Sequence, residues 1–415
     1  MNLEEAQKHL ADLLEPVIEA SKQPSRKMLL GVTDASENYR PLAESMAKSL
    51  LEEALSNGVS DVETGATLSE LGGGAASDFV FRARSNISVI VKVQRDVKLK
   101  NEAVFLKSLQ PEVQSATAWG ALFPRVLAMQ VDNQPYAYAM EDFRQEDGYK
   151  DLSKWIFEDK LLPDARIAQS KSLLNAVLDC IQPIYLESRD TNSKPTLDGD
   201  AFLGRIRTRM TEAESFDEGF KAELVQTGRD SLYSWKWQLE EIEKRRSQAE
   251  AFLPGFQTAV HGDSHPGNII VRLRPAGPTD YKTEIRLIDP RGWHLGDYVF
   301  DFAKLGHYLI LIGPIEKWSV GSDCTFNTSA KTFRIGPIPE ISSWLQDLER
   351  MVFNAAKSLG ESMGDTGVEA RYELAMASCL LGSVPLRWKK DQKLLAVLMY
   401  AEGLKWLNKF RLRLG

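Results

Sequence analysis

The run His261-Gly262-Asp263-Ser264-His265-Pro266-Gly267-Asn268 constrains this chain more than any other. An apolar stretch, Ile269-Ile270-Val271, follows at once, and a second, Ile285 to Ile288, leads into Asp289. Both read as short strands. If they neighbour one another, Asp263, Asn268 and Asp289 converge on one point. Phoshoryl transfer from a nucleotide needs such a set: one carboxylate orients the attacking hydroxyl, while an amide oxygen and another carboxylate hold Mg²⁺ against the phosphates. Magnesium takes hard oxygen ligands and uses one or two protein carboxylates beside phosphate and water. Taken alone, Asp263 is an ordinary turn residue in Gly-Asp-Ser; the combination argues for chemistry.

These residues resemble the catalytic and metal loops of the aminoglycoside phosphotransferase/choline kinase family, small-molecule kinases with a protein-kinase-like fold. The resemblance implies a catalytic role for Asp263, with Asn268 as a Mg²⁺ ligand and Asp289 as the principal one. It makes His261 a brace for the loop and Pro266-Gly267 the turn that aims Asn268. It also implies a two-lobed α+β fold, with a small β-rich N-lobe and a larger, mainly helical C-lobe. The expected donor is ATP or GTP with Mg²⁺. The expected acceptor is a hydroxyl of a small molecule such as a sugar, an aminoglycoside or other natural product, or an amino alcohol.

The upstream sequence follows the same order of parts. Residues 1–60 read as a helical extension, with Leu10, Leu13, Leu14, Val17 and Ile18 at helical spacing and again Leu42, Met46, Leu50, Leu51 and Leu55; Pro24 to Tyr39 between them is turn-rich. Residues 61–143 read as the small nucleotide-binding lobe, with strands at Ala66 to Leu71, Asp78 to Arg84 and Ser88 to Val93. Gly72, Gly73 and Gly74 lie between the first two, where backbone N–H groups can approach phosphates closely. Lys92 sits amid Val89, Ile90, Val91 and Val93, and a lysine in a buried strand needs a partner. Glu102, on the helix expected from Lys98 to Leu109, is that partner; Glu112 is a weaker one. A hairpin, Val126 to Met129 and Tyr136 to Met140, ends in Met140-Glu141-Asp142-Phe143. By resemblance, backbone groups from Glu141 to Phe143 would meet the adenine edge.

Residues 144–415 read as the large catalytic and acceptor-binding lobe. Ile167 to Tyr185 has a helical apolar period, residues 200–252 read as charged helix, and residues 341–412 as three helices. After Asp289 the chain departs from the family pattern: Pro290-Arg291-Gly292 replaces an aromatic residue and an acid. Arg291 would meet a phosphate or an anionic acceptor, or form a surface salt bridge. Gly296-Asp297-Tyr298-Val299-Phe300-Asp301-Phe302-Ala303-Lys304 resembles the family's Gly-Asp-x-x-x-Asp-Leu-Ala segment. There Asp301 would cap a helix and tie down the catalytic loop, and Asp297 would be structural or line the acceptor site. Only a short segment separates Asp289 from Asp301, and no Ala-Pro-Glu-like anchor follows. No protein substrate is expected.

A formal net charge of −7 argues against a nucleic-acid binder relying on a broad basic surface. No apolar run approaches the ~18 residues of a membrane span, and the first residues lack a secretory pattern. Cys180, Cys324 and Cys379 are scattered, which fits reduced thiols in a cytoplasmic protein. Two other readings remain at this level. One is a catalytically silent nucleotide-binding regulator of the same fold. The other is a metal-dependent hydrolase that takes His261, Asp263 and His265 as metal ligands, to which His294 and His307 could contribute.

Overall fold

The computed structural model describes residues 32–58, 67–70, 79–84, 88–110, 118–143, 148–158, 163–228, 230–275, 281–329, 331–336 and 338–415. Its contacts divide the chain into two units: Met1–Ala103 with Arg125–Asp142, and Val104–Pro124 with Phe143–Gly415. Gly72, Gly73, Gly74, Glu112 and the first expected helix lie outside the described residues.

The first unit opens with helix α1 (Val32–Gly58). The stretch expected to be turn-rich through Tyr39 is helical from Val32, and Pro41 lies inside the helix. The physical reason is tertiary: Leu42, Met46, Leu50 and Leu51 form one stripe that packs with Phe81, Val91 and Ala139 in a single apolar cluster. Burial of an amphipathic face outweighs local turn preference.

Strands β1 (Thr67–Glu70), β2 (Phe79–Arg84) and β3 (Ser88–Gln94) are followed by α2 (Val97–Ser108), then by β4 (Val126–Gln130) and β5 (Tyr136–Glu141). The strands form one five-stranded sheet in the order β1-β2-β3-β5-β4. Lys92 on β3 is in register with Val80 on β2 and Tyr138 on β5. Cross-strand neighbours share a face of the sheet, so Lys92 and Tyr138 point the same way.

The second unit contains β6 (Lys150–Asp151), α3 (Leu152–Phe157), α4 (Pro163–Glu187) and α5 (Leu203–Ala213). The region 200–252, expected to be helical throughout, is interrupted by β7 (Leu224–Thr227) and β8 (Asp230–Tyr233) before α6 (Trp235–Lys244) and α7 (Arg246–Glu250). Strands β9 (Ile269–Pro275) and β10 (Tyr281–Leu287) precede α8 (Tyr298–His307), a π-helical turn (Tyr308–Ile312) and α9 (Gly313–Trp318). Then come β11 (Thr325–Ser329) and β12 (Thr332–Gly336). Strands β7, β8, β11 and β12 make a sheet in the order β11-β12-β7-β8. Strands of four or five residues show too few repeats to reveal their period, and what holds β7 is its parallel pairing to β12, which buries Val225 and Phe333.

The C-terminal part holds four helices where three were expected: α10 (Ser343–Ser362), α11 (Val368–Leu381), α12 (Val384–Lys389) and α13 (Lys393–Arg413). Pro385 stands in the first turn of α12, where a missing N–H is harmless but through which α11 could not have continued. Among the described residues no helix is long and apolar enough to cross a membrane. Cys180, Cys324 and Cys379 are free thiols.

Candidate active site

Two antiparallel strands create the frame. Ile269 at the start of β9 faces Leu287 at the end of β10. The loop His261–Asn268 therefore enters the sheet beside the segment that leaves it at Ile288-Asp289. The Ile288 N–H donates to the Asn268 carbonyl at 3.0 Å, and the Arg291 N–H to the His261 carbonyl at 2.9 Å. The His261 ring completes the join: Nε2 lies 2.9 Å from the Ile288 carbonyl, and Nδ1 lies 3.2 Å from the Asp263 N–H. These two contacts assign the tautomer, with the proton on Nε2 and Nδ1 accepting. Burial pushes the imidazole's pKa down, so the ring stays neutral. The Asn268 amide donates through Nδ2 to the Asp263 carbonyl at 3.0 Å, which leaves Oδ1 as the acceptor end of that side chain.

Two backbone conformations in this frame are unusual. Gly262 has φ +76, and a Cβ there would lie 3.0 Å from Cβ of Arg291, so both the conformation and the space call for glycine. Asp289 has φ 59 without being glycine. A carboxylate residue held in the left-handed region by its surroundings is a common sign of a functional position.

Asp301 anchors the loop from α8. It is 1% exposed and accepts the His261 N–H at 2.7 Å, the Gly262 N–H at 2.8 Å, the Ser264 hydroxyl at 3.2 Å and the Tyr185 hydroxyl at 3.2 Å. Burial nonetheless pushes its carboxyl pKa up. The expectation that Asp301 also caps the helix is corrected: Asp297 is the N-cap, accepting the Val299 N–H at 3.0 Å. Asp297 is otherwise committed to Arg371 at 2.7 Å, so its role is structural. Asp301→Ala orphans two buried N–H groups at about 1–3 kcal/mol each. We expect it to lower the unfolding free energy by roughly 2–4 kcal/mol, read by urea titration. A loss well under about 1 kcal/mol would mean that water replaces the carboxylate and the loop does not depend on it.

Asp263 is 29% exposed and pairs through Oδ1 with Lys304 at 2.9 Å, while Arg291 stands at 3.8 Å. Burial alone would raise its pKa; the Lys304 ammonium and the Arg291 guanidinium outweigh it and hold the carboxyl well below the usual carboxylate range. Lys304 is itself only 5% exposed, and burial pushes its pKa down. It escaped the sequence reading, although a signal was there. It lies three residues after Asp301 on a helix that is otherwise wholly buried, the same argument that singled out Lys92.

In the first unit Lys92 is 4% exposed, and its Nζ lies 2.6 Å from Oε1 of Glu102. The Tyr138 hydroxyl donates to the same oxygen at 2.6 Å, a partner that sequence reasoning missed. Glu141, at the end of β5, spends its carboxylate on Arg125 at 3.1 Å and its N–H on the Arg125 carbonyl. Phe143, in the second unit, packs beside Tyr149, Ile270 and Ile288.

Asn268 and Asp289 supply an amide and a carboxylate oxygen on loops tied together by hydrogen bonds, a donor set that suits Mg²⁺ completed by phosphate and water. The histidines do not gather as metal ligands. Both nitrogens of His261 are engaged, Nδ1 of His265 accepts the Gly267 N–H at 3.1 Å, and Nδ1 of His307 meets the Ala303 carbonyl at 3.1 Å. Among the described residues no three His, Cys, Asp or Glu side chains could hold a metal ion by themselves.

No family model matches the chain, and no curated protein matches it. Among solved structures it is similar to choline kinase from Cryptosporidium parvum Iowa II, at 11% identity over 84% of this chain and 90% of that one, with a TM-score of 0.45. It is similar to a glucosamine kinase in complex with glucosamine, ADP and inorganic phosphate, at 11% identity over 87% and 84%, TM-score 0.45. A third is a thermostable mutant of aminoglycoside phosphotransferase APH(4)-Ia, at 12% identity over 87% and 98%, TM-score 0.41.

Proposed function

We propose that this protein is a Mg²⁺-dependent phosphotransferase that moves the γ-phosphoryl of ATP or GTP to a hydroxyl of a small molecule. One observation carries the proposal. Asp263 is a partly exposed carboxylate kept ionised by Lys304, on a loop hydrogen-bonded directly to the segments bearing Asn268 and Asp289.

Asn268 and Asp289 would hold Mg²⁺, which supplies charge neutralisation and orientation of the donor phosphates. Asp263 would accept a hydrogen bond from the acceptor hydroxyl and aim its oxygen at the γ-phosphorus. As the new O–P bond forms, the bond to the β–γ bridging oxygen breaks, the nucleoside diphosphate leaves, and the hydroxyl proton passes to Asp263 and then to solvent. A carboxylate held well below its ordinary pKa is a weak base, which suits a loose transition state in which the nucleophile needs positioning more than early deprotonation. Lys92, oriented by Glu102 and Tyr138, would take the α- and β-phosphates. Gly72, Gly73 and Gly74 would offer backbone N–H groups to the phosphates, and backbone groups from Glu141 to Phe143 would meet the base, other than the Glu141 N–H already given to Arg125. We further place the enzyme in the cytoplasm, acting on a small molecule without nucleic acid, membrane or protein substrate.

The test is nucleoside diphosphate release from ATP or GTP across a panel of hydroxyl compounds, with Mg²⁺ and again with excess EDTA. Release that depends on both acceptor and metal is expected. Failure to bind either nucleotide, measured by calorimetry, would sink the assignment.

A further inference from the structure

The charge around Asp263 is unbalanced. Lys304 and Arg291 both approach its one carboxylate, and a third cation, Arg205, stands on α5. Arg205 is 6% exposed, and among the described residues its hydrogen-bond partners are two backbone carbonyls, Ser378 at 3.4 Å and Gly382 at 3.5 Å, both at the long limit of a hydrogen bond. Space for the guanidinium is made by Gly382, where a Cβ would fall 2.2 Å from Nε of Arg205. After burial, the groups acting most on Arg205 are Arg291, then Cys379 and Asp263, which sets it in the neighbourhood of the catalytic loop. Burial first, and then the like charge of Arg291, lower its pKa to about 9. Glu212, on the same helix, is taken by Arg209 at 3.1 Å and Lys389 at 2.5 Å.

A buried guanidinium without a carboxylate partner is costly unless a ligand supplies the anion. Its planar fork matches carboxylate and phosphate oxygens in two parallel hydrogen bonds. We infer that the acceptor carries an anionic group, a carboxylate or a phosphate, that pairs with Arg205 and Arg291 while its hydroxyl meets Asp263. This rests on the phosphotransferase reading and narrows it. The cations beside Asp263 disfavour a positively charged acceptor, so amino alcohols and aminoglycosides are poor substrates and hydroxy acids or sugar phosphates are good ones.

Matched pairs of acceptors test this with the full chain, ATP and Mg²⁺: glycerate against glycerol, glucuronate against glucose, and glucose 6-phosphate against glucose, with choline and glucosamine as cationic probes. The pairs separate carboxylate from phosphate as the preferred anion. Binding of each compound to the protein loaded with Mg²⁺ and AMP-PNP is measured beside turnover. At least one anionic member should exceed its neutral counterpart by about tenfold or more in kcat/KM and in affinity. Arg205→Leu should raise KM for that member at least about tenfold and close most of the gap. Arg291→Ala, at a side chain 24% exposed, should act in the same direction and serves if Arg205→Leu does not fold. The inference is overturned if neutral or cationic compounds do as well, if the gap survives both substitutions, or if no anionic compound binds the nucleotide-loaded protein. In each of those cases retained nucleotide binding leaves the phosphotransferase reading standing. Loss of nucleotide binding in the wild type would instead remove that reading, and this one with it.

Discussion

Asp263→Asn is expected to cut kcat by about 10²- to 10⁴-fold, the usual contribution of a positioned acid–base group, while nucleotide affinity stays near wild type. That is about 2.7–5.4 kcal/mol of transition-state stabilisation. Asparagine keeps the size of the side chain but removes the charge that orients a hydroxyl and accepts its proton. It also leaves Lys304, 5% exposed, without its ion-pair partner at 2.9 Å. The resulting stability loss is about 1–3 kcal/mol, the cost of a lost hydrogen bond to a charged group. It is limited because burial already lowers the pKa of Lys304, so the ammonium can shed its proton rather than stay charged alone. Nucleotide titration at 25 °C separates a folded, silent enzyme from an unfolded one. Turnover within about threefold of wild type would exclude Asp263 as the catalytic carboxylate. A wild type that binds nucleotide, yet turns over no acceptor and is indifferent to the substitution, would favour the regulatory reading.

Arg371→Leu is expected to have the largest effect on stability. Arg371 is 1% exposed and joins Asp297 at 2.7 Å and Asp365 at 2.6 Å, both with side chains at most 2% exposed. It also donates to the Phe252 carbonyl at 2.7 Å, while the Tyr298 hydroxyl donates to Asp365 at 2.7 Å. Removing the cation leaves two buried carboxylates without it, and breaking a buried ion pair in this way costs about 3–5 kcal/mol. Against a total of about 5–15 kcal/mol for a typical domain, this is a severe loss. The site should feel it as well, because Asp297 caps the helix that carries Asp301 and Lys304.

A pH signature distinguishes this cause from simple cavity formation. Burial would raise the pKa of Asp365, but hydrogen bonding and charge from Arg371 outweigh it and leave the carboxyl below its ordinary value. A folded-state pKa below the unfolded one gives stability that is present above about pH 4 and is lost as pH falls through the folded value. Without Arg371, burial dominates, the carboxyl takes a proton readily, and the variant recovers part of its deficit in acid. Urea unfolding should therefore show a deficit of about 3–5 kcal/mol at pH 7.5 and a smaller one near pH 4.5. A deficit independent of pH would locate the damage in packing rather than in charge.

What the sequence by itself determined is local and periodic. The run from His261 to Asn268, with apolar stretches on either side of the turn to Asp289, was enough to anticipate paired strands and a meeting of the two loops. Lys92 was legible because a charged residue in a run of valine and isoleucine requires a partner, and Glu102 lay one helix away. Alternation placed β2, a nearly continuous apolar run placed β3, and helical spacing placed α4. Tertiary structure alone decided the rest. Lys304 reaches Asp263 only because Asp301 holds the loop against α8. Arg205 and Gly382 share one space only because the end of α11 lies over α5. Asp297 lies 74 residues before Arg371, and no spacing rule joins it to Arg371 and Asp365. The strands β7 and β12 are too short to show a period, and α1 starts inside a turn-favouring stretch because its apolar stripe has a sheet to cover. Side-chain periodicity reports which face of an element will be buried. It carries no information on which distant charge will be waiting there, and at this site the distant charges set the electrostatics.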